Sequence, residues 1–200
     1  QSIRVPIVNA SFDTTIAELD RLAGCSKVSF DIENTEEGID CIGFASEANR
    51  GICIPFHTDV GNYWTEENET ILWQRIKGLL ESQSVKKIAQ NAFYDIFHLK
   101  KMGINVNNVW HDTMLAAGLI NPEFPKDLWF LASLYTDIPF WEMENEHKLD
   151  INRWTYNAYD AMVTYEIAEK QEVELRELGH DEFFRRLPMP LLPCLVRAST

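Results

Sequence analysis

The chain has 200 residues, 46% hydrophobic and 12% aromatic, with a formal net charge of −13. That length and apolar content suit a single domain with a full core and exclude a disordered or fibrous chain. The acid excess argues against a protein that grips nucleic acid through its own cations, because phosphate neutralisation normally calls for Lys and Arg. No apolar run reaches the roughly 18–20 residues of a membrane span. The N-terminus QSIRVPIVNA lacks a charged head followed by an apolar stretch, so no secretory leader is expected. Cys25, Cys41, Cys53 and Cys194 form no CxxC pair and have no zinc spacing. The chain therefore reads as reduced, intracellular and cytoplasmic.

In chain order, IRVPIV (3–8) predicts a short edge strand, since Pro6 would break a central one. TTIAELDRLA (14–23) predicts a helix, with Asp13 as its cap and Gly24 just past its end. KVSFDIE then alternates: Val28, Phe30 and Ile32 face one way, Ser29, Asp31 and Glu33 the other. Residues 39–46 and 51–56 predict two further strands, joined by short polar links into an antiparallel meander. A helix follows over 66–81, capped by Thr65. Then come a short strand over 86–91 and a helix over 92–103 ending at Gly103. Asp112 is placed to cap a helix through Leu119, and another helix is expected over 127–135. DIPFWEMENEHKLD (137–150) reads as irregular. Trp154, Ala158, Ala161, Tyr165 and Ala168 recur at helical spacing within a long helix over 152–178. The tail from Arg185 is rich in apolar residues and proline. Strands first, then strand and helix in alternation, predict an α/β fold with a mixed sheet.

Three short clusters carry the chemistry. Asp31 and Glu33 share one face of a strand. Asn91 and Asp95 stand one helical turn apart where a strand gives way to a helix, and Tyr156 and Asp160 are one turn apart on the long helix. Each has an ordinary reading when taken singly: a solvated strand face, a polar helix face, a packed tyrosine beside an ion-paired aspartate. Together they suggest one site. Four converging carboxylates repel and raise one another's pKa unless divalent cations relieve them. Hard oxygen donors suit Mg²⁺ or Mn²⁺ rather than zinc. Such cations would also let an acidic protein hold a phosphodiester.

These clusters, FDIE, QNAFYD and Y-x-x-x-D, with HDTML at 111–115, resemble the proofreading 3′–5′ exonuclease domain of family A (DNA polymerase I-like) DNA polymerases. The tyrosine places the resemblance in the DEDDy branch of the DEDD exonuclease superfamily. It implies a ribonuclease H-like sheet of five to six strands flanked by helices. Residues 1–185 would form the exonuclease domain, and 186–200 the start of a connection to a polymerase domain beyond. Asp31 would bridge two cations, Glu33 and Asp160 would complete the tighter site, and Asp95 would hold the second ion through water. Tyr156 would orient the attacking hydroxide. Asn91 would position the 3′-terminal nucleotide or support Asp95. The substrate would be a single-stranded or frayed DNA 3′ end, and the product a nucleoside 5′-monophosphate.

The pattern departs from the family after the first motif. Asn34 stands where the family commonly has Thr, and Ile39 is the nearest candidate for an apolar wedge against the terminal bases. Phe140 or Trp141 is a candidate to stack on a base. Asp112 reads as a helix cap, the five histidines form no spaced set, and the lysines at 86, 87, 100 and 101 read singly as solvated. Two rival functions remain: a ribonuclease resembling the ribonuclease D group, and an inactive exonuclease-like scaffold.

Overall fold

A short strand, β1 (Val5–Ile7), leads into helix α1 (Phe12–Ala23) and a meander of β2 (Lys27–Thr35), β3 (Gly38–Glu47) and β4 (Arg50–Pro55). A small ribbon, β5 (His57–Thr58) and β6 (Gly61–Asn62), precedes α2 (Glu66–Glu81). Strand and helix then alternate as β7 (Lys86–Ala89), α3 (Ala92–Lys101), β8 (Val109–Asp112) and α4 (Thr113–Ile120). Helices α5 (Leu128–Tyr135), α6 (Asp150–Glu177), α7 (Asp181–Arg186) and α8 (Pro188–Ser199) follow. The structure, a computed structural model, describes residues 3–36, 38–137 and 150–199.

The main sheet has six strands in the order β1-β4-β3-β2-β7-β8. β2, β3 and β4 are antiparallel, as short links require. The longer excursions through α2 and α3 return the chain parallel, β7 to β2 and β8 to β7. β1 lies at the edge, parallel to β4, where Pro6 costs no central ladder bond. The sequence-based expectation of a mixed α/β sheet flanked by helices describes this architecture.

The sheet's two faces are covered differently. On one, Phe30, Ile32, Ile42, Phe44, Ile52 and Ile54 join side chains from α1, α2 and α3 in the main apolar core. On the other lies the long helix α6. A Cβ added at Gly43 would sit 2.7 Å from the Asn157 carbonyl oxygen, and one at Gly51 would sit 2.8 Å from the Ala158 carbonyl oxygen. Helix α6 therefore rests on bare strand backbone, nearer than side chains on those strands would allow.

Two local expectations are corrected. Ser11, not Asp13, caps α1: its hydroxyl accepts from the Thr14 amide at 3.2 Å. The strand expected to reach residue 91 stops at Ala89. The proline-rich tail forms a helix: Pro188 and Pro190 fall in its first turn, where no intrahelical donor is lost, and Pro193 is accommodated inside it. Met189, Leu192 and Val196 of α8 join the main core.

Candidate active site

Strand β2 alternates as its sequence dictates. Phe30 and Ile32 are 0% and 4% exposed in the core, while Asp31 and Glu33 turn toward α6. Asp160 stands on α6, itself buried. One carboxylate oxygen each from Asp31, Glu33 and Asp160 lie within 4.8 Å of one another. The close seat of α6 over Gly43 and Gly51 brings Asp160 to that position.

Asp95 lies beside this group, near enough for the Asp31 charge to act on it, but is not one of the three within 4.8 Å. The β2–β7 ladder ends at Ser29 and Ile88, and the chain beyond β7 turns into α3. The Ile32 amide donates to Asp95 Oδ1 at 3.0 Å. The start of α3 is fixed by a second carboxylate, Asp112. It accepts from the amides of Asn91 (3.3 Å) and Ala92 (2.8 Å), and from those of Met114 (2.9 Å) and Leu115 (3.1 Å). Asp112 thus caps α4, as its position in the sequence suggests, and also pins the first turn of α3. Asn91 takes the left-handed conformation (φ 54°, ψ 51°) at this junction, exposed to solvent, and its side chain makes no cap bond. Asparagine tolerates that geometry better than most residues.

Crowding shifts these acids together. Burial first, then the Glu33 charge, pushes the Asp31 carboxyl up to about 8, against a hydrogen bond from Asn157 that favours the charged form. Burial and then Asp40 raise Glu33, with Arg153 opposing. Burial and then Asp31 raise Asp95 well above the usual carboxylate range, although the Ile32 amide favours its ionised form. The donors are all carboxylate oxygens, and bringing them together ionised is costly without positive charge. Such a set suits a hard divalent cation.

Tyr156 is half-buried on α6, one turn before Asp160. Asn34 is half-buried near the end of β2. Ile39 corrects the expected wedge. A β-bulge shifts the register so that Glu33 faces Cys41 but Asn34 faces Ile39. The extra residue, Asp40, turns Ile39 away from the side of Cys41 and into the main core, 4% exposed. A side chain so placed offers no surface to a base. Phe140 and Trp141 lie outside the described residues.

One residue at the site went unread in the sequence. Asn157, next to Tyr156 and 0% exposed, donates through Nδ2 to Asp31 Oδ2 at 2.8 Å and to the Asp31 carbonyl at 3.2 Å. Its i−3 spacing from Asp160 was the available signal.

The mixed sheet, the long helix across it and the acidic cup between them define a ribonuclease H-like exonuclease domain. A family model described as 3′–5′ exonuclease matches residues 9–176, and the chain belongs to that family, in its family A DNA polymerase-like form. DNA polymerase I of Rhizobium leguminosarum is 35% identical over 137 residues, covering 62% of this chain. The match spans only 13% of that polymerase. Two solved structures share the fold. The POL domain of Pol1 from M. smegmatis, in complex with DNA primer-template and dNTP, has a TM-score of 0.73 at 18% identity, over 95% of this chain and 31% of that one. Escherichia coli RNase D, an exoribonuclease involved in structured RNA processing, has a TM-score of 0.69 at 15% identity, over 96% and 50%. Among the described residues, no helix is long and apolar enough to cross a membrane.

Proposed function

We propose that this domain removes nucleoside 5′-monophosphates from single-stranded or frayed DNA 3′ ends, as the proofreading part of a longer family A polymerase. The observation that carries this reading is the convergence of Asp31, Glu33 and Asp160 within 4.8 Å, with buried Asp95 alongside. Those four carboxylates would hold two cations, Mg²⁺ or Mn²⁺. When bound, such a pair supplies an activated water and neutralises charge developing on the phosphodiester. Asp31 and Glu33 would hold them from the strand and Asp160 from α6. Asp95 is held in place by the Ile32 amide. Tyr156 orients the attacking water from α6. Asn91, exposed at the start of α3, contacts the terminal nucleotide. Selectivity for mispaired ends follows from energetics, since an end that is already unpaired costs less to draw into a single-strand site. The 35% identity to a DNA polymerase I supports DNA as the substrate.

The test is digestion of single-stranded DNA with Mg²⁺ by Asp31→Ala and Asp160→Ala. Loss of at least ~10²-fold, the scale of removing one preorganised charge-stabilising group, is expected. An undiminished rate in either variant refutes the mechanism. The fold likeness to RNase D favours a second reading, an exoribonuclease. Matched DNA and RNA oligonucleotides separate the two, because only RNA offers 2′-hydroxyl contacts. Faster digestion of RNA would replace the proofreading assignment.

A further inference from the structure

We propose that Asn157 is a positioning residue that orients Asp31 for cation binding, and that Gly43 exists to make room for it. The inference rests on the proposed function, since it concerns the same acidic cup.

An asparagine amide carries two hydrogens on nitrogen and no charge. Both are directed at one residue: Nδ2 reaches Asp31 Oδ2 at 2.8 Å and the Asp31 carbonyl at 3.2 Å. Contact with main chain and side chain at once fixes the carboxylate relative to its own strand, and ties one carboxylate oxygen. The neutrality of the donor matters. A lysine or arginine in this position would neutralise Asp31 and compete with an incoming cation, and an acid would add to the repulsion. An amide holds the carboxylate in place and leaves its charge for the cation.

The space for this amide comes from the strand opposite. A Cβ on residue 43 would lie 2.6 Å from Asn157 Oδ1, and 2.7 Å from the Asn157 carbonyl oxygen. Gly43 pairs with Asp31 itself across the β2–β3 ladder. The absence of a side chain at 43 therefore lets the α6 amide lie over the sheet at the level of Asp31. Three residues on three elements form one unit: Asp31 binds, Asn157 aims it, Gly43 admits the aiming group.

The test reads cation affinity rather than turnover. Mn²⁺ binding to the folded protein, without nucleic acid, is measured by calorimetry or by the loss of free-ion paramagnetic resonance. Asn157→Ala is expected to weaken Mn²⁺ about 10–100-fold, the usual cost of removing a group that orients a metal ligand. Gly43→Ala is expected to show a loss of the same order. Ser29→Ala is the control. Ser29 donates to the Ala161 carbonyl at 2.6 Å, beneath the same helix, without touching Asp31. Its removal deletes one hydrogen bond beneath α6 without introducing a clash that would push the helix away, and is expected to leave Mn²⁺ affinity within about twofold of wild type. Wild-type-like affinity in folded Asn157→Ala overturns the proposal, and so does an equal loss in Ser29→Ala. If the wild-type protein itself binds no Mn²⁺ at millimolar concentration, the two-cation reading falls and takes this one with it. If wild type binds and Asn157→Ala binds equally, only the present inference falls.

Discussion

The Ile32 amide and the Asp95 carboxylate are joined across the sheet by a 3.0 Å hydrogen bond, where a strand carbonyl would otherwise be expected. Strand β7 ends too early to pair with β2 at this level. Asp95 takes over the missing acceptor role, so the carboxylate that terminates the ladder is also the one beside Asp31 that the proposed mechanism uses.

That double role separates two substitutions. Asp95→Asn keeps an oxygen acceptor for Ile32 and replaces a carboxyl whose ionisation burial and Asp31 disfavour. In chelator it is expected to melt above wild type. Asp95→Ala leaves a buried amide unsatisfied, at a cost of about 1–3 kcal/mol, and should melt below wild type. Both should lose at least about tenfold in nuclease rate. Differential scanning calorimetry in EDTA decides the order, and Asn melting below Ala would refute the role assigned to Asp95.

Cation binding should depend on pH through the same acids. Asp31 holds its proton up to about 8 in the cation-free fold, because burial and Glu33 disfavour its charge. A raised carboxyl stabilises the fold fully below the unfolded value near 4, and that contribution is lost as pH rises through about 8. In EDTA, stability from this group therefore declines across that window. With Mn²⁺ the carboxyl must ionise, so apparent affinity climbs up to about pH 8 and levels above it. Titrations in buffers of differing ionisation enthalpy should detect proton release at pH 6.5 and little at pH 9. Equal proton release at both would contradict the shift.

Gly51 offers a check on how α6 is seated. A methyl there would meet the Ala158 carbonyl oxygen and Met162 Cγ, both at 2.8 Å. Gly51→Ala should cost about 1–3 kcal/mol, as overpacking does, and lower nuclease activity by moving Asp160. Urea denaturation measures the first and single-strand digestion the second. A fully active, fully stable variant would show that the close approach is dispensable.

His111 is expected to set an acid limit on stability. It is 0% exposed, with Nε2 2.9 Å from Gln171 Oε1, and burial holds it down at about 4. A depressed histidine stabilises the fold fully above the unfolded value near 6.5. That contribution, worth about 3 kcal/mol at full extent, is lost as pH falls from 6.5 toward 4. His111→Gln should flatten the stability profile in that interval, whatever its effect at pH 8. An unchanged slope would mean that another group dominates.

The cup was legible where short-range rules decide direction. Alternation in β2 sends Asp31 and Glu33 to one face, and cap chemistry at Asp112 marks the start of α4. Failures arose where one residue depends on a distant one. Ile39 followed the strand period, but the bulge at Asp40 reversed its facing, and nothing local announces a bulge. Asn157 looked like one more polar residue on a helix, and its importance exists only against Asp31 and Gly43. The α8 helix is masked by its prolines: two fall in the first turn, where they are tolerated, but Pro193 stands in the interior, where local rules argue against a helix. Asp13 lost the α1 cap to Ser11, two residues earlier, within the usual uncertainty of helix ends.

The wide separation of Asp31 and Asp160 along the polypeptide has a bearing on its synthesis. A ribosome emits the early sheet well before α6, and until that helix docks on Gly43 and Gly51 the acidic cluster lacks Asp160. On the proposed assignment, a nascent chain holds Asp31 and Glu33 but not yet Asp160, so cleavage would arrive only with the finished domain.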